Sequence, residues 1–248
     1  MKSATDHQGD ILASLRAIEP LEVNLLGSVG CVLADDIASE DENGNSHVLL
    51  PKGTLIGARH IALLAAAGLG HVMVHPKPRV VVLTVGAKLV DPGKQDSLDD
   101  IPDINGLALT SAANAAGAMT YRVGPALPDV KSLTSTIEDQ LVRADIIVTA
   151  CGMSASDYDA LTSVVSELGE VELSKISMQP GAAQGFGHIG PDSTPIFVLP
   201  ANPVAALLSF DLFVLPAIRT LMGQTRVHPS TAHAKIVEPL TPSETDTR

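Results

Sequence analysis

The sequence predicts an α/β fold: a three-layer α/β/α sandwich around a mostly parallel sheet, preceded by a small α+β N-terminal region. Three observations carry this expectation. Val80-Val81-Val82-Leu83-Thr84-Val85 and Ile146-Ile147-Val148 are continuous apolar, β-branched runs, the pattern of central strands covered on both faces. Stretches with helical apolar spacing, 106–116 and 130–142, separate them. Small-residue turns follow both runs, and open α/β sheets bind ligands at the carboxyl ends of their strands.

The composition fits one large domain plus a smaller one. The chain has 248 residues, 45% of them hydrophobic, enough for a sizeable core. Aromatic residues make up only 2% and Trp is absent, so the core is built from Ala, Val, Leu and Ile, and stacking on nucleic-acid bases is not expected. A formal charge of -12 and a pI near 4.9 also oppose binding to a phosphate backbone. Cys31 and Cys151 are the only cysteines and lie far apart, which fits a reducing compartment and no disulfide or zinc scaffold. The first residues lack an apolar signal core, and no uninterrupted apolar stretch reaches membrane-spanning length. The expectation is a soluble cytoplasmic protein with neither nucleic acid nor membrane as partner.

In order along the chain, Ile11, Leu12, Leu15 and Ile18 have helical spacing. Leu21 to Leu25 alternates as a short strand, and a second amphipathic helix is expected through Leu26, Val32, Leu33 and Ile37. Residues 39–46 read as a polar acidic turn. A strand end at 47–50, a helix over 56–67 closed by Gly68, and a strand at 71–74 complete the region 1–78. Pro76 and Pro78 mark the boundary. The α/β domain is expected over 79–223: strand 80–85, exposed loop 91–102, helix 106–116, strand 119–123, helix 130–142, strand 146–149, helix 158–168 and strand 171–176. Two short strands, 184–189 and 195–199, flank the hairpin signature Gly190-Pro191-Asp192-Ser193. A long apolar helix starts at Pro203. Residues 224–248 read as an extension or the start of a further β domain, with a strand near 234–237.

No P-loop, dinucleotide glycine triplet, Gly-x-Ser-x-Gly elbow or His-Glu-x-x-His helix occurs. What remains are turns at predicted strand ends: Gly86-Ala87-Lys88, Asp103-Ile104-Asn105, Cys151 to Asp159, Met178-Gln179-Pro180-Gly181 and Pro200-Ala201-Asn202-Pro203. Small residues there let amides approach an anion, and helix N-termini add partial positive charge. Asp103, Asp157 and Asp159 read either as helix caps, the simpler account, or as oxygen ligands for a divalent cation. Cys151 reads as a small buried filler, since no nearby His would activate it.

Taken together, these turns carry a resemblance. Thr149-Ala150-Cys151-Gly152-Met153-Ser154-Ala155-Ser156-Asp157-Tyr158-Asp159 resembles the Thr-Ser-Gly-Gly-Val-Ser-x-Gly-Asp-Tyr-Asp motif of the molybdopterin molybdenumtransferase family, which includes the gephyrin E domain. In the same order, Gly86-Ala87-Lys88-Leu89 resembles its Gly-Asp-Glu-Leu, Asp103-Ile104-Asn105 its Asp-x-Asn, Met178-Gln179-Pro180-Gly181 its Met-Lys-Pro-Gly, and Leu199-Pro200-Ala201-Asn202-Pro203-Val204 its Leu-Pro-Gly-Asn-Pro-Val. The likeness covers 80–223.

It implies a molybdopterin-binding domain in molybdenum cofactor biosynthesis. Family members use magnesium and molybdate on adenylylated molybdopterin, usually as homodimers. By position it makes Asp103 and Asp157 the catalytic and magnesium-binding acids. Gly86, Asn105, Gly152, Ser154, Pro180, Gly181, Pro200, Asn202 and Pro203 become the pterin-binding residues. Ala87 and Lys88 stand where the family has Asp-Glu, and the Asp-Asn-Ser-Ala-Met-Asp-Gly segment is missing between Ile37 and Leu50. The implied alternative is a non-catalytic molybdopterin-binding or scaffold homologue.

Overall fold

A computed structural model describes residues 1–40, 46–152, 154–235 and Val237. Most of the acidic turn expected over 39–46 therefore lies outside the described residues, as does Met153.

The first 75 residues give α1 (Ala4–Ser14), β1 (Leu21–Asn24), β2 (Val32–Leu33), β3 (Ile37–Glu40), β4 (Ser46–Leu50), α2 (Ala58–Ala66) and β5 (His71–His75). Strands β1 and β2 both pair antiparallel with β5, and β3 pairs with β4. Cys31, Leu33, Leu50, Ile56, Leu64, Val72 and Val74 form their small core. The second helix expected through 26–37 does not form. Gly30 turns the chain at φ 80 and the Cys31 N–H bonds back to the Ser28 carbonyl. Val32 and Leu33 then pair with His75 and Val74, so sheet pairing overrides the helical spacing of these apolar residues.

From Arg79 the alternation of strand and helix begins: β6 (Arg79–Val85), β7 (Leu89–Val90), β8 (Ile101–Pro102), α3 (Ile104–Ala115), β9 (Met119–Ala126), α4 (Val130–Leu141), β10 (Ile146–Cys151), α5 (Ala155–Leu168), β11 (Gly169–Lys175), β12 (Ala183–Ile189) and β13 (Thr194–Leu199). One helical rod follows as α6 (Pro203–Ser209), a π-turn (Phe210–Val214) and α7 (Leu215–Leu221). The main sheet has the order β11-β12-β13-β10-β6-β9. Its β13, β10, β6 and β9 are parallel, and β12 alone runs against them, pairing antiparallel with β11 and with β13, so that β12 and β13 form the expected hairpin.

Alternation of side chains along the strands explains the three layers. Val80, Val82, Ile146, Val148, Phe197 and Leu199 face Leu109 of α3 and the rod residues Phe210, Phe213 and Ile218. Val81, Leu83, Val85, Ile147, Ile196 and Val198 face Leu133 and Ile137 of α4 and Leu161, Val164 and Val165 of α5. Each such buried side chain favours folding by about 1.5–3 kcal/mol relative to an exposed one. Helix α1, grouped by sequence with the N-terminal region, places Ile11 and Leu15 in the first of these cores. Pro203–Leu221 is long and apolar enough to span a membrane, but more than half of it is buried here, which accounts for its composition. The strand expected near 234–237 is not formed at Ala234 or Lys235, and Ile236 lies outside the described residues.

His7 sits in this core, its ring 4.9 Å edge-on from Phe213. Burial, then the charge of Lys2, pushes its imidazole below the ordinary value. Burial acts the same way on His188. The unfolded chain therefore binds these protons more readily than the folded one. The stabilisation is complete above the ordinary histidine value of about 6.5 and is lost as pH falls below it. Thermal midpoints measured at about pH 7.5 and pH 5.5 should separate more for the wild type than for His7→Gln. Equal separations would remove His7 from this account.

Candidate functional site

The carboxyl ends of β6 and β10 are adjacent because Val85 pairs with Cys151, and the Gly152 N–H donates to the Val85 carbonyl at 2.7 Å. Gly86 and Gly152 are needed for close approach. A Cβ on Gly152 would lie 2.6 Å from Asp157 Oδ2, and one on Gly86 would lie 3.3 Å from the same oxygen. Asp157, 5% exposed in the first turn of α5, thus packs directly onto both strand ends. Its Oδ1 accepts from the Ala87 N–H at 3.4 Å, and its charge suits a helix N-terminus.

Asp103 has a different setting. It is 1% exposed and caps α3, accepting from the Gly106 N–H at 2.8 Å. Its Oδ2 also accepts from Thr84 Oγ1 and from Arg122 Nη2, each at 2.7 Å. Arg122 Nη1 reaches Asp91 Oδ1 at 2.8 Å, so one guanidinium ties β9 to both ends of the 91–103 loop. Burial is the largest single influence on Arg122 and pulls it down, but the hydrogen bonds it donates to Asp103 and Asp91, with the charges of the two carboxylates, together hold it above its ordinary value. The base of the loop is clamped where the Ile101 N–H meets the Lys88 carbonyl and the Asp103 N–H meets the Val90 carbonyl, both at 2.8 Å.

Two adjoining cavities open here. One, of about 160 Å³, is bounded by Thr84, Asp103, Asn105, Ala201 and Pro203. The other, of about 230 Å³, is bounded by Ala87, Lys88, Ser154, Ser156 and Asp157. Leu89, Ile101 and Gly152 border both. Asn105 donates to the Ala201 carbonyl at 2.8 Å and so joins the start of α3 to the turn before α6. A larger groove of about 600 Å³ lies elsewhere, between α1 and the β11–β12 edge, where the Lys2–Asp10 ion pair crosses at 2.6 Å. None of the carboxyl ends of the parallel strands β6, β9, β10 and β13 borders it.

Of the residues singled out by sequence, the structure brings together Gly86, Asp103, Asn105, Gly152, Ser154, Asp157 and Pro203. Asn202 is an exposed cap of α6, accepting from the Val204 and Ala205 N–H groups, and neither it nor Pro200 borders either of these two cavities. Pro180, after a cis peptide bond, and Gly181, at φ 105, lie in the turn between β11 and β12 and border neither cavity. Sequence reasoning missed Thr84, Asp91 and Arg122. Arg122 is the one basic residue within Met119–Ala126, the only signal that could have drawn notice. Cys151 is buried, and burial followed by the charge of Asp157 pushes its thiol up to about 11, so it is no nucleophile at neutral pH.

The donor set does not suit magnesium. No three His, Cys, Asp or Glu residues among those described could hold a metal ion together. Asp103 already accepts from three donors, one of them a cation, and Lys88 shares the Asp157 cavity.

A doubly wound sheet with glycine-lined turns and helix N-termini at its carboxyl edge defines the class of α/β domains that bind small, often anionic ligands. Within that class, residues 81–220 match the family described as "Probable molybdopterin binding domain", and the chain belongs to this family. Molybdopterin molybdenumtransferase 1 of Mycobacterium tuberculosis is 41% identical over 194 residues, covering 78% of this chain and 46% of the relative. Molybdopterin molybdenumtransferase 2 of the same organism is 36% identical over 181 residues, covering 71% and 44%. The chain thus spans about half the length of the curated relatives it matches. The molybdopterin biosynthesis moeA protein of Pyrococcus horikoshii has a TM-score of 0.77 at 22% identity, over 90% of this chain and 80% of that one, a likeness of fold.

Proposed function

We propose that this chain binds molybdopterin across the two joined cavities and acts in molybdenum cofactor biosynthesis, at the step that joins molybdate to adenylylated molybdopterin. The observation that carries this reading is the pair of cavities meeting at Gly152. The walls of Leu89, Ile101, Pro102 and Ile104 suit a flat heterocycle, and Lys88, Ser154, Ser156 and the start of α5 suit a phosphate. In this reading Asp157 fixes the first turn of α5 against Gly86 and Gly152, and Asp103 organises the loop above. The names of the relatives support a biosynthetic role over a scaffold one.

The exposed Ile104, Leu107, Val204, Leu207 and Leu208 lie on the adjoining helices α3 and α6, and this apolar surface supports a homodimer. Two free, buried cysteines support a cytoplasmic location.

Calorimetric titration with molybdopterin, together with an assay of AMP release from adenylylated molybdopterin and molybdate, tests the function. Binding with AMP release is the expected result. Binding without release would leave a binding protein, and absence of both would end the reading. Asp157→Ala should weaken binding by about tenfold while the chain stays folded; a loss of stability at unchanged affinity would leave Asp157 as a helix-end group only.

A further inference from the structure

A phosphate bridged through a divalent cation needs carboxylate oxygens free to coordinate. At Asp103 both oxygens are engaged: Oδ1 takes the Gly106 N–H, and Oδ2 takes Thr84 and Arg122. Asp103 is 1% exposed, and a divalent cation approaching it would meet the guanidinium charge of Arg122 already seated on Oδ2. Asp157 is the one other acid bordering the cavities, and its Oδ2 is pressed against Gly86 and Gly152. The surroundings of Asp157 favour an anion. Lys88 borders the same cavity, and α5 begins there without a side-chain cap, since Ser154 Oγ pairs with Ser156 Oγ at 2.6 Å. The positive end of a 14-residue helix and an ammonium both repel a divalent cation and attract phosphate oxygens. Lys88 is easily released for this role. Its partner Asp99 sits 3.4 Å away with both side chains mostly exposed, a weak surface pair.

Resting on the pterin-binding reading above, we infer that this chain holds the anionic end of its ligand without a divalent cation, the phosphate charge being met by Lys88 and the first amides of α5. Lys88 takes the place of a bridging metal as the counter-charge.

The test is calorimetry of the whole chain with molybdopterin, once in EDTA and once with magnesium in excess. The affinity should be the same within about threefold, and Lys88→Gln should lower it about tenfold in both buffers. Asp99→Asn, which frees the ammonium, should raise it. Both positions are exposed, and an unchanged circular dichroism melt shows that the variants fold. Binding that appears only with magnesium, or a Lys88→Gln affinity equal to wild type, overturns the inference while the pterin reading stands. No binding in either buffer overturns both.

Discussion

Asp103→Ala is expected to cost about 3–5 kcal/mol of folding stability, as for a buried ion pair broken at one partner. The expected loss exceeds the ~1 kcal/mol of a missing helix cap because three donors lose their acceptor at once. The Gly106 N–H is left without a cap, Thr84 without its partner, and Arg122 with Asp91 alone. Urea unfolding monitored by circular dichroism reads the difference directly. A loss near 1 kcal/mol would reduce Asp103 to a cap. Asp103→Ala combined with Arg122→Met should recover part of the loss, because the uncompensated charge is then gone.

Phe213→Ala should destabilise the chain by about 3–5 kcal/mol through the cavity it leaves. Phe213 is 1% exposed in the π-turn of the rod, and His7 of α1 rests edge-on against its ring. Truncation removes the surface on which α1 is seated. Amide exchange in 4–14 should therefore quicken more than exchange in α4 or α5, which pack on the opposite face of the sheet. Uniform quickening would show that α1 has no separate dependence on this contact.

The large sheet was legible in the sequence because Val80 to Val85 and Ile146 to Val148 have no reading other than strands buried on both faces, and the helices between them are strongly periodic. The segment 26–37 was not. Its apolar residues have helical spacing, and only pairing with β5, more than thirty residues away, makes β2 a strand. The place of α1 was hidden for the same reason, since Ile11 and Leu15 show an apolar face without naming the surface that covers it. At the site, Asp103 and Asp157 were found by motif, but the motif could not separate their surroundings. One carboxylate is consumed by Arg122 from β9, the other is packed against two glycines. Pairing across 19 residues, Arg122 to Asp103, leaves no local trace. Pro180 and Gly181 illustrate the converse, a motif match that sits in the expected turn between β11 and β12 and yet borders neither cavity.

The shared boundary of Leu89 and Ile101 has a consequence for selectivity. Both residues belong to the short paired strands at the root of the 91–103 loop, so the partition is held by main-chain bonds. A molecule that fills both compartments passes the Leu89 and Ile101 side chains and Gly152, which border each of them, and meets there an aliphatic edge set by backbone pairing instead of by side-chain rotamers alone.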